Sequence, residues 1–390
     1  MRMTPERRIR ISNALFYMAL AIEVVLMIVE KSELYFGLES YVFRATFLIT
    51  LVAVLFKPHT KKEWAIMVAV WVFTFICYRI TGRNELLRFA TFLFAARDIN
   101  LTRTMKTMFY TCLAGFGIIA LLSITGIYGP ISYVTDYGRD WGEELRYVFG
   151  FGHPNTLYGA VYTLTLLWIW AYGKRAKIGE YIIALVINLA ICHVAATRTG
   201  YVISGFTIIV AIMARYIPKI SEKKWPYILT VVVTPIACVA FSIWSACVGH
   251  IPYYLNDKDW YQYVWKINSL LNDRIENLYR ANNRHAGAIV SWKLFSDRLS
   301  EEYFDMGWVR IFYWYGIIPA ILVIILVVVF IYICYRKKDI WTLVLILSMS
   351  VYTVIEATFV SRYLGRNLLI PVLGVYFGWL INTKKTAKAD

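Results

Sequence analysis

Apolar residues in this chain come in runs near bilayer length, separated by short basic connections. Such runs predict transmembrane helices, because a segment in hydrocarbon must satisfy its own backbone hydrogen bonds. The pattern places spans at 11–30, 38–56, 63–79, 84–96, 107–125, 153–171, 179–196, 199–215, 226–247, 307–334, 339–358 and 363–382. The fourth is short for a full crossing and reads as tilted, longer than drawn, or re-entrant. No linker, low-complexity stretch or internal repeat divides the sequence. The expectation is one all-α, polytopic transmembrane domain over residues 1–390 with about twelve helices.

Lysine and arginine in the connections set the orientation. With the N-terminus inside, the inner segments hold Arg2, Arg7, Arg8 and Arg10; Lys57, Lys61 and Lys62; Arg97, Arg103 and Lys106; and Lys174, Arg175 and Lys177. They continue with Arg215, Lys219, Lys223 and Lys224; Arg336, Lys337 and Lys338; and Lys384, Lys385 and Lys388. A miscounted span would spoil this alternation, so both termini are placed in the cytoplasm. The basic start runs into the first apolar stretch without a small-residue cleavage site and reads as a retained anchor. Two long outer segments result, 126–152 and 248–306. The second carries seven lysines or arginines, a charge that long loops tolerate but that still needs a use.

Composition agrees: 59% of the 390 residues are hydrophobic and only 17% charged, too apolar for a soluble domain of this size. The net charge of +16 is scattered singly between apolar runs, so it reads as topology signal and nucleic acid is not an expected partner. The cysteines, Cys77, Cys112, Cys192, Cys238, Cys247 and Cys334, have no metal-ligand spacing and read as small buried residues.

Arginine inside a span costs roughly 2.5–3.5 kcal/mol at a helix centre. Arg44, Arg88 and Arg310 fall near the outer ends of their spans, and Arg198, Arg362 and Arg366 lie at the same boundary. Two readings stand: snorkelling to lipid headgroups, or bidentate recognition of phosphate at the outer leaflet. In the large outer loop, residues 274–298 read as a helix. That would place Arg280 and Arg284 one turn apart, and Arg274 and His285 on one face three turns apart. The same helix could lie on the membrane with Ile289, Trp292 and Phe295 toward lipid. His153 opens the sixth span in FGHPN, with Pro154 at the helix start and Asn155 in the first turn. A structural cap and a ligand contact both fit it. His193 reads as a satisfied core residue. Asp257-Lys258-Asp259 has a DxD form, but no nucleotide-binding fold surrounds it and no metal is assigned. Walker A, dinucleotide and HExxH patterns are absent, which disfavours an ATP-driven pump and a zinc protease.

Five segments, in order, resemble the Wzy-type polysaccharide polymerases of bacterial capsule, exopolysaccharide and O-antigen pathways. They are FGHPNTLYG at 151–159, TRTGY at 197–201, INSLLNDR at 267–274, FDMGWVRIFYWYGII at 304–318 and SVYTVIE at 350–356. The resemblance covers roughly residues 145–375, and its specificity lies in order and spacing. Tyr352 stands where the family often has histidine, and Met306-Gly307-Trp308 replaces a commoner small polar pair and tyrosine. The family implies a GT-C-like membrane glycosyltransferase in the bacterial cytoplasmic membrane. Such an enzyme moves a growing glycan from undecaprenyl pyrophosphate onto a lipid-linked repeat unit at the extracytoplasmic face. Since only the pair Asp257 and Asp259 suggests a divalent ion and arginines can neutralise pyrophosphate, no metal or cofactor is expected.

A pyrophosphate leaving group needs fixed cations, assigned here to Arg198, Arg274 and Arg284, with His153 and Asn155 as further substrate contacts. The attacking sugar hydroxyl needs a base, for which the candidates are Asp305, Glu356 and His285, in that order. Glu356 also reads as a buried ion pair with an outer arginine such as Arg362. Expected partners are undecaprenyl-pyrophosphate-linked oligosaccharide, membrane lipids, and a flippase and chain-length regulator of the same pathway. An O-antigen-type ligase and a lipid-linked oligosaccharide flippase are the competing functions.

Overall fold

The computed structural model describes residues 3–34, 36–136, 142–254, 261–281, 285–298, 300, 302–357 and 366–381. The chain is mostly helical. Its first helices are α1 (Pro5–Glu30), α2 (Glu39–Phe56), α3 (Lys61–Thr81), α4 (Glu85–Ala95) and α5 (Leu101–Ile124). A hairpin of β1 (Ser132–Asp136) and β2 (Glu143–Tyr147) precedes α6 (Pro154–Tyr172), α7 (Ile178–Val194) and α8 (Arg198–Tyr216). Next come α9 (Trp225–Val231), a π-helical turn (Val232–Cys238), α10 (Val239–Val248) and α11 (His250–Tyr253). The rest are α12 (Tyr261–Leu270), α13 (Arg274–Arg280), α14 (Gly307–Tyr315), α15 (Ile317–Lys337), α16 (Ile340–Thr353) and α17 (Arg366–Ile381).

Among the described residues seven helices are long and apolar enough to cross a membrane: α1, α2, α3, α5, α8, α15 and the continuous rod Trp225–Tyr253. The protein is an all-α polytopic membrane protein, with the two-stranded hairpin as its addition. A helix lies at each of the twelve expected spans, but they are not uniform. The fourth is the eleven-residue α4, and the helix of the eleventh stops at Thr353, short of 358. Pro235 lies inside the ninth, where it lacks an N–H to donate, and the helix widens to a π-turn around it.

Two compact units divide the chain: Met1–Thr60 with Thr91–Pro218 and Asn367–Asp390, and Lys61–Ala90 with Lys219–Arg366. In the first, polar side chains fix which helices pair. Glu23 on α1 is buried and accepts from Thr46 Oγ1 of α2 at 2.6 Å. Tyr158 and Tyr162 of α6 bond Ser204 and Thr207 of α8 at 3.0 and 2.7 Å, and Asn188 Nδ2 of α7 donates to Thr165 Oγ1 at 2.7 Å. In an apolar medium such bonds average about 0.6 kcal/mol each and mainly select partners.

In the second unit α14 is buried along most of its length. Trp308, Ile311, Phe312 and Tyr315 pack with Cys238, Val239, Ala320 and Ala357, and Val309 packs with Ala246, Leu278, Ala286, Phe304 and Met306. The expected continuous span 307–334 is therefore two helices. Gly316 breaks it with φ 99° and ψ 171°, a conformation open almost only to glycine. A Cβ there would also sit 2.6 Å from the Leu294 carbonyl oxygen. Gly316→Ala should destabilise the protein by about 1–3 kcal/mol, read as a lowered midpoint of thermal unfolding in lipid discs. An unchanged midpoint would mean the break is not required.

Three other expectations fail. Cys247 is exposed, and so is His193. The helix foreseen over 274–298 ends at Arg280, and only the short 3-10 turn Ile289–Ser291 follows it among the described residues. Consequently Arg274 and His285 do not share a helical face. Gly287 explains part of this stop: its amide donates to the Leu278 carbonyl at 2.8 Å and a Cβ there would stand 2.7 Å from Leu278 Cα, so the chain lies back on α13 instead of extending it.

Candidate functional site

The second unit gathers three sequence segments around one guanidinium. The first supplies Arg274 as the leading residue of α13. Asn272 and Asp273 turn the chain through left-handed conformations (φ 52° and 59°) just before it. Asn268 then stabilises the turn, donating to Asp273 Oδ1 at 2.9 Å and accepting the Glu276 amide at 3.0 Å. An amide side chain that gives and takes in this way satisfies an otherwise orphaned helix N-terminus. Ile275 and Leu278, both fully buried, anchor the helix.

The second segment supplies Asp305, which sits between buried Phe304 and Met306 but is itself 40% exposed. Arg310, one turn into α14, is 1% exposed. Its Nε donates to the Phe304 carbonyl at 2.9 Å, its Nη2 to the same oxygen, and its guanidinium lies 3.5 Å from the Tyr303 ring centroid. Arg310 is thus neither a snorkelling residue nor an open phosphate contact; it pins the backbone beside Asp305.

The third segment supplies Glu356, in the turn beyond the end of α16. Gly307 lets the two segments meet, since a Cβ there would stand 2.7 Å from Thr353 Cγ2 and 2.8 Å from Ala357 Cα. Trp308 Nε1 donates to the Ser350 carbonyl at 3.2 Å and locks α14 to α16. Met306-Gly307-Trp308 is therefore the packing joint of the site. Tyr352 is buried, and its carbonyl accepts the Glu356 amide at 2.9 Å.

Arg274 is 6% exposed and lies between the two carboxylates. Its Nη2 donates to Glu356 Oε1 at 2.7 Å, its Nε stands 3.3 Å from Asp305 Oδ2, and Nη1 donates to the Leu271 carbonyl at 3.0 Å. Burial pushes the Glu356 carboxyl up to about 7 and the nearby charge of Asp305 adds to the rise, while Arg274 and Arg310 oppose it. A carboxyl in that range changes protonation around neutral pH, as a general base should.

The other sequence candidates have other partners. His285 stacks on Tyr279, with ring centroids 3.6 Å apart, and its Nδ1 donates to the Tyr279 carbonyl at 2.9 Å. His153, Asn155 and Arg198 belong to the first unit. There His153 caps α6, Nδ1 accepting the Asn155 amide at 3.1 Å, and Thr197 Oγ1 donates to Asn155 Oδ1 at 3.2 Å. FGHPN and TRTGY are thereby in contact, and Arg198 follows as the exposed first residue of α8. Gly200 allows the close packing, since a Cβ there would stand 2.6 Å from Cys192 Sγ and 3.0 Å from Tyr158 Cε2. Arg284, Arg362, Asp257 and Asp259 lie outside the described residues. Sequence reasoning missed Asn268, Gly307 and Arg310 as supports of the site. Asn268 and Gly307 had as signal only their place in two of the motif segments, and Arg310 stood out as an arginine inside a span but as a phosphate contact.

No family model matches the chain, and neither a curated protein nor a solved structure matches it significantly.

Proposed function

We propose that the chain is a membrane polysaccharide polymerase. In this reading twelve helices cross the bacterial cytoplasmic membrane in a GT-C-like arrangement, with both termini cytoplasmic. A growing glycan passes from undecaprenyl pyrophosphate to a lipid-linked repeat unit at the outer face. The observation that carries the reading is the Arg274 guanidinium held between Asp305 and Glu356 by three separated segments.

Glu356 takes the proton of the acceptor hydroxyl as that oxygen bonds the donor's anomeric carbon. The anomeric carbon–phosphate oxygen bond breaks, and undecaprenyl pyrophosphate departs with the electron pair. Once protonated, Glu356 holds Arg274 less strongly, which frees part of the guanidinium fork for the charge developing on the leaving group. Asp305 keeps the arginine oriented meanwhile. Purified protein given one lipid-linked oligosaccharide should yield a ladder of longer products. Transfer onto a different acceptor would make it a ligase, and lipid movement without lengthening a flippase.

Topology is testable separately. In a Cys247→Ser background, Lys266→Cys should react with an impermeant thiol reagent in intact cells and Lys223→Cys should not. The reverse pattern would put this cluster on the cytoplasmic side and defeat the reading. Arginines neutralise diphosphate without a divalent ion, so elongation should survive a strong chelator and an Asp257→Asn/Asp259→Asn double change. Loss that magnesium or manganese restores would show a metal requirement.

A further inference from the structure

Five residues after Arg274, α13 carries Tyr279, about 7.5 Å further along the helix axis. Around it stand Tyr253 and Tyr254, with ring centroids 5.4 and 5.6 Å from that of Tyr279 and 5.0 Å from each other. The phenol oxygens of Tyr254 and Tyr279 are 3.0 Å apart. His285 covers one face of Tyr279 at an interplanar angle of 13° and is held there by a left-handed backbone (φ 53°). The group rests on rigid backing. Gly249 lets α11 press against α13, since a Cβ there would lie 2.7 Å from the Ile275 carbonyl oxygen, and Val248, Ile251, Val264 and Ile275 pack beneath. Tyr253 and Tyr254 nevertheless leave 43% and 55% of their surface exposed.

We propose that Tyr253 and Tyr254, backed by Tyr279, form a stacking platform for a pyranose ring of the lipid-linked glycan. The inference rests on the polymerase reading and gives that enzyme a sugar subsite on the helix that carries Arg274. Aromatic faces accept the C–H side of a sugar ring, and phenol edges meet its hydroxyls. At the rim, Arg280 lies 6.0 Å from the Tyr253 ring centroid and is ion-paired with Glu276, one turn back on α13. The pair supplies donors and acceptors without net charge. That balance suits an uncharged sugar. Arg274 and Tyr279 share one short helix but stand on different faces of it, so the tyrosines form a contact separate from the guanidinium cluster.

The test uses the full chain in lipid discs and a lipid-free oligosaccharide, released by mild acid from the lipid-linked pool of the producing cells. Saturation transfer from protein to sugar ring protons reports contact, and titration gives the affinity. Tyr253→Ala/Tyr254→Ala should weaken binding at least about tenfold, whereas the Tyr253→Phe/Tyr254→Phe pair should retain most of it. Glu356→Gln should still bind while failing to lengthen chains. An alanine pair that binds like the wild type, or a phenylalanine pair as weak as the alanine pair, would overturn the platform. So would tyrosine ring signals broadened by a headgroup spin label with no sugar binding, which would make the patch an interfacial belt. Sugar binding by a protein that never lengthens chains would sink the polymerase reading alone. Lengthening that ignores the tyrosines would sink the platform alone.

Discussion

Arg274→Ala is expected to abolish glycan lengthening and to cost the fold about 3–5 kcal/mol, because it strands Asp305 and Glu356 beside an emptied, largely buried position. The alanine variant alone could fail through misfolding, so Arg274→Lys is the sharper change. Lysine keeps the positive charge but places one point charge where a planar fork now reaches Glu356, Asp305 and the Leu271 carbonyl. The lysine variant should insert and fold, yet lengthen chains at least about a hundredfold more slowly, in the range found when a single transition-state donor is removed. Elongation is measured at matched membrane abundance, with thermal unfolding as control. Wild-type elongation by the lysine variant would reduce Arg274 to a structural counter-charge.

The second large effect concerns Glu356. Its carboxyl is pushed up to about 7 by burial and by Asp305, so the ionised, proton-accepting form disappears as pH falls below neutrality. Elongation should rise about tenfold per pH unit below 7 and level off above it, following the fraction of ionised base. Glu356→Gln should lose that rising limb together with about two to four orders of magnitude in rate. Stability should move the opposite way. A carboxyl raised in the folded state favours folding below its ordinary range, and that contribution is lost as pH rises through about 7. At pH 8 the glutamine variant should therefore be no less stable than the wild type. A variant that loses activity only in proportion to lost stability would make Glu356 a packing residue.

Hydrophobic run length made the helices legible, since bilayer thickness sets a length that sequence records directly. It could not show the break at Gly316, because an apolar run reads the same whether one glycine lies in helical or left-handed conformation. The hairpin at residues 132–147 was also missed. Its strands are five residues each and depend on pairing rather than on periodicity. For the site, the sequence offers Arg274 as a cation on the large outer loop and Asp305 and Glu356 as candidate bases at outer helix ends. Their meeting was not legible, because it depends on Gly307 packing over Thr353 and Ala357 and on Asn268 setting the start of α13. The pairing of Arg274 with His285 assumed a helix that persists past Arg280, and the chain's return over Leu278 through Gly287 removes that assumption.

The most direct test of the central claim is to count undecaprenyl pyrophosphate released as purified protein lengthens a lipid-linked oligosaccharide. One carrier should be freed for each new glycosidic bond, and both events should vanish together in Glu356→Gln. Bonds formed without carrier release, or at the wild-type rate without Glu356, would contradict it.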